Sequence, residues 1–284
     1  MVGHWVGTNP EPRLGARRWC SCWGRRSRSA TGTRHGGAEW TRRVLARRGP
    51  SLHSVTIRSA RLWHGLTAVV AIGALVLQLL LVIQGGRVLD ETEPDPMGTR
   101  LWHLVSYFTI QSNVLVAVAV VLLTRDPTRD GAGFRSLRLA GVLGITVTGI
   151  VHFFLLRPLL DLDGADYVAD KLLHMAVPVL AVVGWAVFGP RPRVDRPAAI
   201  WSVAWPLAYL GYVLVVGAAS GWYPYPFLDV DEKGWGHVLV AAAGITLLFL
   251  VFIAAATAFD RRSRPQPEAW DPYRNPGPAS PTSR

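Results

Sequence analysis

The sequence predicts an all-α, polytopic membrane protein with six transmembrane helices. Half of its 284 residues are hydrophobic, only 17% are charged and 12 are Trp, a composition typical of membrane proteins. A helix needs roughly 20 apolar residues to cross a bilayer, and six stretches come close to this length. They lie at about residues 62–84, 101–123, 137–156, 171–188, 198–219 and 235–258.

Charges in the loops predict how these helices cross the membrane. Lys and Arg are enriched on cytoplasmic sides, and Arg residues occupy the loops 124–136 and 189–197 and follow the last helix. The other loops are acidic: DETEPDP follows the first helix, LDLDGADYVAD the third and LDVDE the fifth. We therefore expect both termini to be cytoplasmic.

Two segments flank the helical domain, which we place at residues 61–260. Residues 1–60 hold 12 Arg and 2 Glu, which account for most of the net charge of +11. This segment has no periodic pattern of apolar residues, so we expect it to be a disordered extension. The alternatives for its role are contact with nucleic acid, contact with an anionic membrane surface, or a spurious upstream extension of the reading frame. Residues 261–284 are proline-rich and predict a disordered cytoplasmic tail. Cys20 and Cys22 are the only cysteines and form no zinc or disulfide pattern, so we expect no cofactor.

The stretch SYFTIQSN, residues 106–113, places polar groups in the second helix. Ser106, Thr109 and Asn113 follow i, i+3, i+7 spacing, which predicts one helix face with Ser112 beside it. Polar groups within a membrane are costly, so this face should point into the bundle. These polar groups have either a structural or a chemical role. As structural groups they join helices, or Thr109 bonds back to the carbonyl of Val105.

Four histidines lie in the predicted outer halves of the helices. His103 and His237 are close to helix ends, where an imidazole can reach the interface, whereas His152 and His174 lie deeper. Pro178 has no N–H for the carbonyl of His174 four residues earlier, so a kink is expected there.

A hydroxyl and an imidazole at similar depth form a possible nucleophile and base. His174 would take the proton from Thr109 during attack on an ester. Asn113 would either orient the base or donate to the oxyanion, with Ser106 and His152 as supporting residues.

YFTIQSN in the second helix, LLHMAVP in the fourth and YPYPFLDV after the fifth resemble actinobacterial six-span membrane proteins. Those proteins are similar to the androgen-induced protein and androgen-dependent TFPI-regulating protein family. The resemblance covers about residues 60–260. It implies a membrane-embedded threonine hydrolase of fatty acid esters of hydroxy fatty acids, with Thr109 as nucleophile and His174 as base. It also implies a bacterial plasma membrane as the location, and membrane lipids and an acyl-ester substrate as partners.

Other functions are compatible with the same residues. His152 and His174 lie in consecutive helices and suggest a haem or metal protein, and a non-catalytic membrane scaffold would use the polar residues only as helix contacts. The segment SGWYPYPFLDV is aromatic. It predicts either an aromatic belt at the lipid interface or a cap over a lipid entrance. No nucleic acid is expected to bind the folded domain.

Overall fold

The structure, a computed structural model, describes residues 52–85, 95–189 and 192–262. These residues form helices and turns, and this part of the chain contains no strand. Six helical segments are long and apolar enough to cross a membrane: 56–83, 108–125, 132–159, 164–187, 196–220 and 230–262. The predicted all-α fold with six spans is therefore confirmed, and the chain is a multi-pass membrane protein.

The described residues form eight α-helices. They are α1 Leu52–Ile83, α2 Met97–Ser106, α3 Phe108–Arg125, α4 Ala132–Val151, α5 Gly164–Lys171, α6 Val177–Val187, α7 Arg196–Ser220 and α8 Val230–Arg262. Seven of them lie in these spans, while α2 precedes the second span. A π-turn, His152–Leu156, continues α4, and a second, Leu172–Ala176, joins α5 to α6 within one span. Short 3₁₀ turns occupy Arg157–Leu159 and Pro226–Leu228.

The first helix extends beyond the predicted domain boundary at residue 61. It begins at Leu52, because a helix that is already nucleated by its apolar part gains one hydrogen bond for each residue added. The last helix ends at Arg262, close to the predicted limit. The remaining parts of the two predicted disordered segments, residues 1–51 and 263–284, lie outside the described residues.

The second predicted helix is interrupted at Tyr107. This residue has φ −71° and ψ 129°, an extended conformation, so α2 ends at Ser106 and α3 begins at Phe108. The prediction that Ser106, Thr109 and Asn113 share one helix face is wrong for Ser106, because an extended residue breaks the periodicity. The ring of Tyr107 is buried and meets Trp222 edge-on, with centroids 5.9 Å apart. Thr109 consequently lies in the first turn of a helix rather than in its middle.

Both π-turns lie next to a proline. The first ends at Leu156, two residues before Pro158, and the second ends at Ala176, two residues before Pro178. A proline provides no N–H and its ring crowds the carbonyl four residues earlier, so the preceding turn widens. The expected kink at His174 and Pro178 thus takes the form of a π-turn, a feature common at functional sites.

Helix α4 lies at the centre of the bundle. It packs against α3, α6, α7 and α8, while α1 packs mainly against α3. The span containing α4 is the most buried of the six, and the spans of α7 and α8 are the least buried. The polar groups of α3 and of the second π-turn therefore meet beside the most enclosed helix.

Candidate active site

The structure brings Thr109 and His174 together. Thr109 Oγ1 lies 3.3 Å from His174 Nε2, a distance close to that of a hydrogen bond between a nucleophile and its base. The Thr109 side chain is buried, and the imidazole is only slightly exposed. The first turn of α3 positions the hydroxyl and the π-turn Leu172–Ala176 positions the ring.

The surroundings of His174 determine which of its nitrogens carries the proton. Nδ1 lies 3.1 Å from the main-chain oxygen of Asp170 and 3.0 Å from its carboxylate Oδ1. Both oxygens only accept hydrogen bonds, so in the neutral imidazole the proton is on Nδ1. Nε2 then has a free lone pair directed at the Thr109 hydroxyl, as a general base requires.

Asp170 is the centre of a buried charged cluster. Its Oδ2 lies 2.7 Å from Lys171 Nζ, and its Oδ1 lies 3.1 Å from His152 Nε2, at an oblique angle to the ring. The carboxylate is 7% exposed, and a buried charge is tolerated only when it is paired. Its partners His152, Lys171 and His174 therefore keep Asp170 ionised beside the base.

The rings of His152 and His174 are stacked, with centroids 3.8 Å apart and planes 10° from parallel. Together with Asp170 they place three potential metal ligands within 4.8 Å of one another. A metal ion lies in the plane of each imidazole that binds it, about 2 Å from the nitrogen. Two nearly parallel planes this far apart cannot both contain one ion, and no porphyrin fits between stacked rings. The arrangement therefore favours contact of both rings with a shared carboxylate over shared coordination of an ion.

Asn113 connects α3 to the second π-turn. Its Nδ2 donates to the carbonyl of Thr109 at 2.8 Å and to that of Leu173 at 3.4 Å. The Leu173 carbonyl needs such a donor because Val177 N bonds to Leu172 instead and Pro178 has no N–H. Since both amide hydrogens are directed at main-chain carbonyls, Asn113 holds Thr109 and His174 in register rather than facing an ester.

Ser106 lies outside this cluster. Its hydroxyl is 2.6 Å from the hydroxyl of Tyr212 and donates to the Trp102 carbonyl, while its own carbonyl accepts from Tyr209. These contacts attach the end of α2 to α7. The supporting role expected for Ser106 is therefore a contact between helices.

Tyr225 reaches the site from the loop between α7 and α8. Its hydroxyl accepts a hydrogen bond from the main-chain N–H of Thr109 at 3.4 Å, and the side chain is buried. Of the aromatic residues predicted to form a belt or a cap, Tyr225 points inwards. Trp222 stacks on His103 at 3.8 Å.

Three spaces border Thr109, His174 or both. An apolar cavity of about 90 Å³ lies between α4, α7 and α8 and includes Thr109, Tyr225, Leu210, Ile245 and Phe249 in its lining. A site cavity of about 70 Å³ is lined by Thr109, His152, Asp170, His174 and Tyr225, among others. A lateral groove of about 490 Å³, with His152, His174, Phe154 and Val179 along it, opens on the surface between α4 and α6.

The sequence indicated some of these residues and missed others. Of the four histidines, His152 and His174 join the site, whereas His103 lies against Trp222 and His237 is exposed. The sequence pattern placed Asp170 in an acidic loop. Its position four residues before His174 was the available signal, because residues four apart lie on one face of a helix. For Tyr225 no sequence signal exists, because the contact with Thr109 joins segments far apart in the chain.

Comparison with protein-family models, characterised proteins and solved structures finds no match to this chain.

Proposed function

We propose that this chain is an integral membrane hydrolase of lipid esters, with Thr109 as nucleophile and His174 as general base. The observation that carries the proposal is the contact of Thr109 Oγ1 with a His174 nitrogen whose opposite nitrogen is held by Asp170. This is the order of groups in hydroxyl–imidazole–carboxylate hydrolases, where the carboxylate fixes the tautomer of the base and stabilises the imidazolium.

The reaction takes place in two steps. Thr109 Oγ1 attacks the ester carbonyl carbon while its proton passes to His174 Nε2, and the carbonyl electrons move to oxygen. The tetrahedral intermediate then expels the alkoxide, which takes the proton from His174, and an acyl-threonine remains. Water loses a proton to His174 as it attacks the acyl-threonine. The second tetrahedral intermediate expels Thr109 Oγ1, which takes that proton back from His174, so the fatty acid leaves and both residues are regenerated.

The spaces around the site support a lipid substrate. The apolar cavity beside Thr109 is suited to an acyl chain, since ligand pockets of this kind are mainly apolar with few polar groups. The lateral groove is bordered by Phe154 and Val179, which are 67% and 62% exposed. In a membrane-spanning chain such side chains face lipid, so a bilayer substrate can reach His174 without leaving the membrane.

The resemblance to the androgen-induced protein and androgen-dependent TFPI-regulating protein family is part of this proposal. It supports fatty acid esters of hydroxy fatty acids, or similar esters, as substrates. The Arg-rich and acidic loops support cytoplasmic termini, and the same resemblance supports a position in a bacterial plasma membrane. In that orientation the site opens towards the outer leaflet.

Activity-based labelling tests the proposal. Purified membranes with wild-type protein should react with a fluorophosphonate probe, and Thr109→Ala and His174→Ala should each abolish the adduct. Mass spectrometry should find the adduct on Thr109. Ser112→Ala is the matched control, because Ser112 is a buried hydroxyl on the same helix and should leave labelling unchanged.

The other readings predict different outcomes. A non-catalytic scaffold would give no labelling of a folded wild-type protein and no hydrolysis of lipid esters in detergent. A metal or haem protein would purify with bound metal that is lost in both His152→Ala and His174→Ala. Labelling that persists in Thr109→Ala would show that another group is the nucleophile.

A further inference from the structure

We infer that the phenol of Tyr225 is the oxyanion donor of this site, a role that rests on the proposed hydrolysis and adds a catalytic residue to it. When Thr109 attacks, the carbonyl oxygen of the ester becomes negatively charged and needs a hydrogen-bond donor close to the attacking hydroxyl. Such a donor commonly contributes about 10²- to 10³-fold to kcat.

The position of Tyr225 meets this need. Its hydroxyl lies 3.4 Å from Thr109 N and has the Thr109 hydroxyl as a second hydrogen-bonding neighbour. Tyr225 and Thr109 both line the apolar cavity and the site cavity. An ester that occupies both cavities therefore places its carbonyl where these two residues meet.

Tyr225 has a proton to donate. Its oxygen accepts from the Thr109 N–H, while the nearby Tyr209 hydroxyl donates to the Ser106 carbonyl at 2.9 Å. At rest the Tyr225 proton has the hydroxyl oxygens of Thr109 and Tyr209 as neighbouring acceptors, and it can turn to the ester oxygen during attack. Burial raises the pKa of the Tyr225 phenol, so the group stays protonated at neutral pH.

The alternative donor predicted from the sequence is engaged elsewhere. Asn113 directs its amide hydrogens to the carbonyls of Thr109 and Leu173. The N–H of Thr109 points to the Tyr225 oxygen. The positive end of the α3 dipole lies at the same place. An oxyanion bound there would therefore be stabilised by the phenol and by the start of the helix.

The loop holds Tyr225 rigidly, as a preorganised donor requires. Pro224 and Pro226 fix the backbone on either side, and the Tyr225 carbonyl accepts from Leu228 N at 2.9 Å. The ring stacks on Phe227 with centroids 5.3 Å apart and meets Tyr107 edge-on at 5.8 Å. Removing only the hydroxyl should leave these ring contacts intact.

The first test is the kinetics of lipid-ester hydrolysis by the purified full-length protein. Tyr225→Phe should lower kcat about 10²- to 10³-fold with KM changed less than about threefold. Tyr212→Phe is the matched control: it also removes a phenol hydrogen bond, that with Ser106, but away from Thr109, and kcat should stay within about threefold of wild type. Each variant must keep the thermal midpoint of the wild type to within a few degrees.

The second test uses an alkyl trifluoromethyl ketone, which forms an oxyanion adduct with a hydroxyl nucleophile. Its affinity should fall about 10²- to 10³-fold in Tyr225→Phe, while the corresponding alcohol, which forms no adduct, should bind as before. Equal affinities of the ketone for the two proteins would overturn the role of Tyr225. Full activity in Thr109→Ala would instead overturn the proposed hydrolase mechanism, so the two failures are distinguishable.

Discussion

Asp170 shows how one carboxylate organises the residues around it. It holds Nδ1 of His174, lies against His152 and binds Lys171, so its two oxygens contact three groups that can carry a positive charge. Without this carboxylate, only the main-chain oxygen of residue 170 would hold Nδ1 of His174, and no carboxylate would stabilise the imidazolium. The residue therefore determines whether the Thr109–His174 contact can work as a base and nucleophile.

Replacing Asp170 with Asn should lower kcat for ester hydrolysis about 10²- to 10⁴-fold, because an amide does not stabilise the imidazolium and leaves the tautomer to be fixed by the main-chain oxygen alone. The measurement is steady-state hydrolysis in detergent micelles. Asp161→Asn is the control, since Asp161 is an exposed acidic residue of the same segment and should leave kcat unchanged. A wild-type rate in Asp170→Asn would remove the carboxylate from the mechanism.

At the scale of elements, the site depends on the close approach of α4 to the second π-turn. Gly149 allows this approach: a Cβ at this position would lie 2.9 Å from the carbonyl oxygen of His174 and 3.5 Å from Pro178. The π-turn cannot move away without shifting His174 relative to Thr109. A glycine on one helix therefore helps to set the position of the base on another.

Gly149→Ala should lower the free energy of unfolding by about 1–3 kcal/mol through overpacking. It should also lower kcat for hydrolysis, because His174 is displaced from Thr109. Thermal unfolding in detergent and kcat measure the two effects. Gly211→Ala is the matched control, because a Cβ on this helical glycine meets nothing within 4 Å, and alanine is the better helix former. Equal midpoints and rates in the two variants would show that α4 and the π-turn tolerate separation.

At the scale of the whole molecule, the direction of the bundle would determine which leaflet supplies the proposed lipid substrate. Asp170 and Tyr225, which line the site cavity, belong to the end of the bundle whose predicted loops are acidic. With cytoplasmic termini, that end is in the outer leaflet. The Arg-rich loops, including Arg135 with its ion pair to Asp195, would then face the cytoplasm.

Cysteine labelling checks this direction. The only natural cysteines, Cys20 and Cys22, are first replaced by Ser. Asp161→Cys should then react with a membrane-impermeant maleimide in intact cells, whereas Gly133→Cys should react only after lysis. Both positions are exposed, so accessibility alone does not separate them, and the reverse pattern would contradict the predicted orientation.

The sequence by itself determined the six spans, because the length of an apolar stretch and the hydrogen bonding of a helix in lipid are local properties. It also indicated a polar face that includes Thr109, and His174 beside a proline, since such groups are conspicuous within apolar stretches; the family resemblance then singled out Thr109. It did not reveal that Tyr107 interrupts the second span, which removed Ser106 from the face of Thr109. Only the tertiary structure decided that Asp170 and Tyr225 complete the site. Their roles depend on how a widened turn and a distant loop pack against the start of α3, and neither contact leaves a periodic signal in the chain.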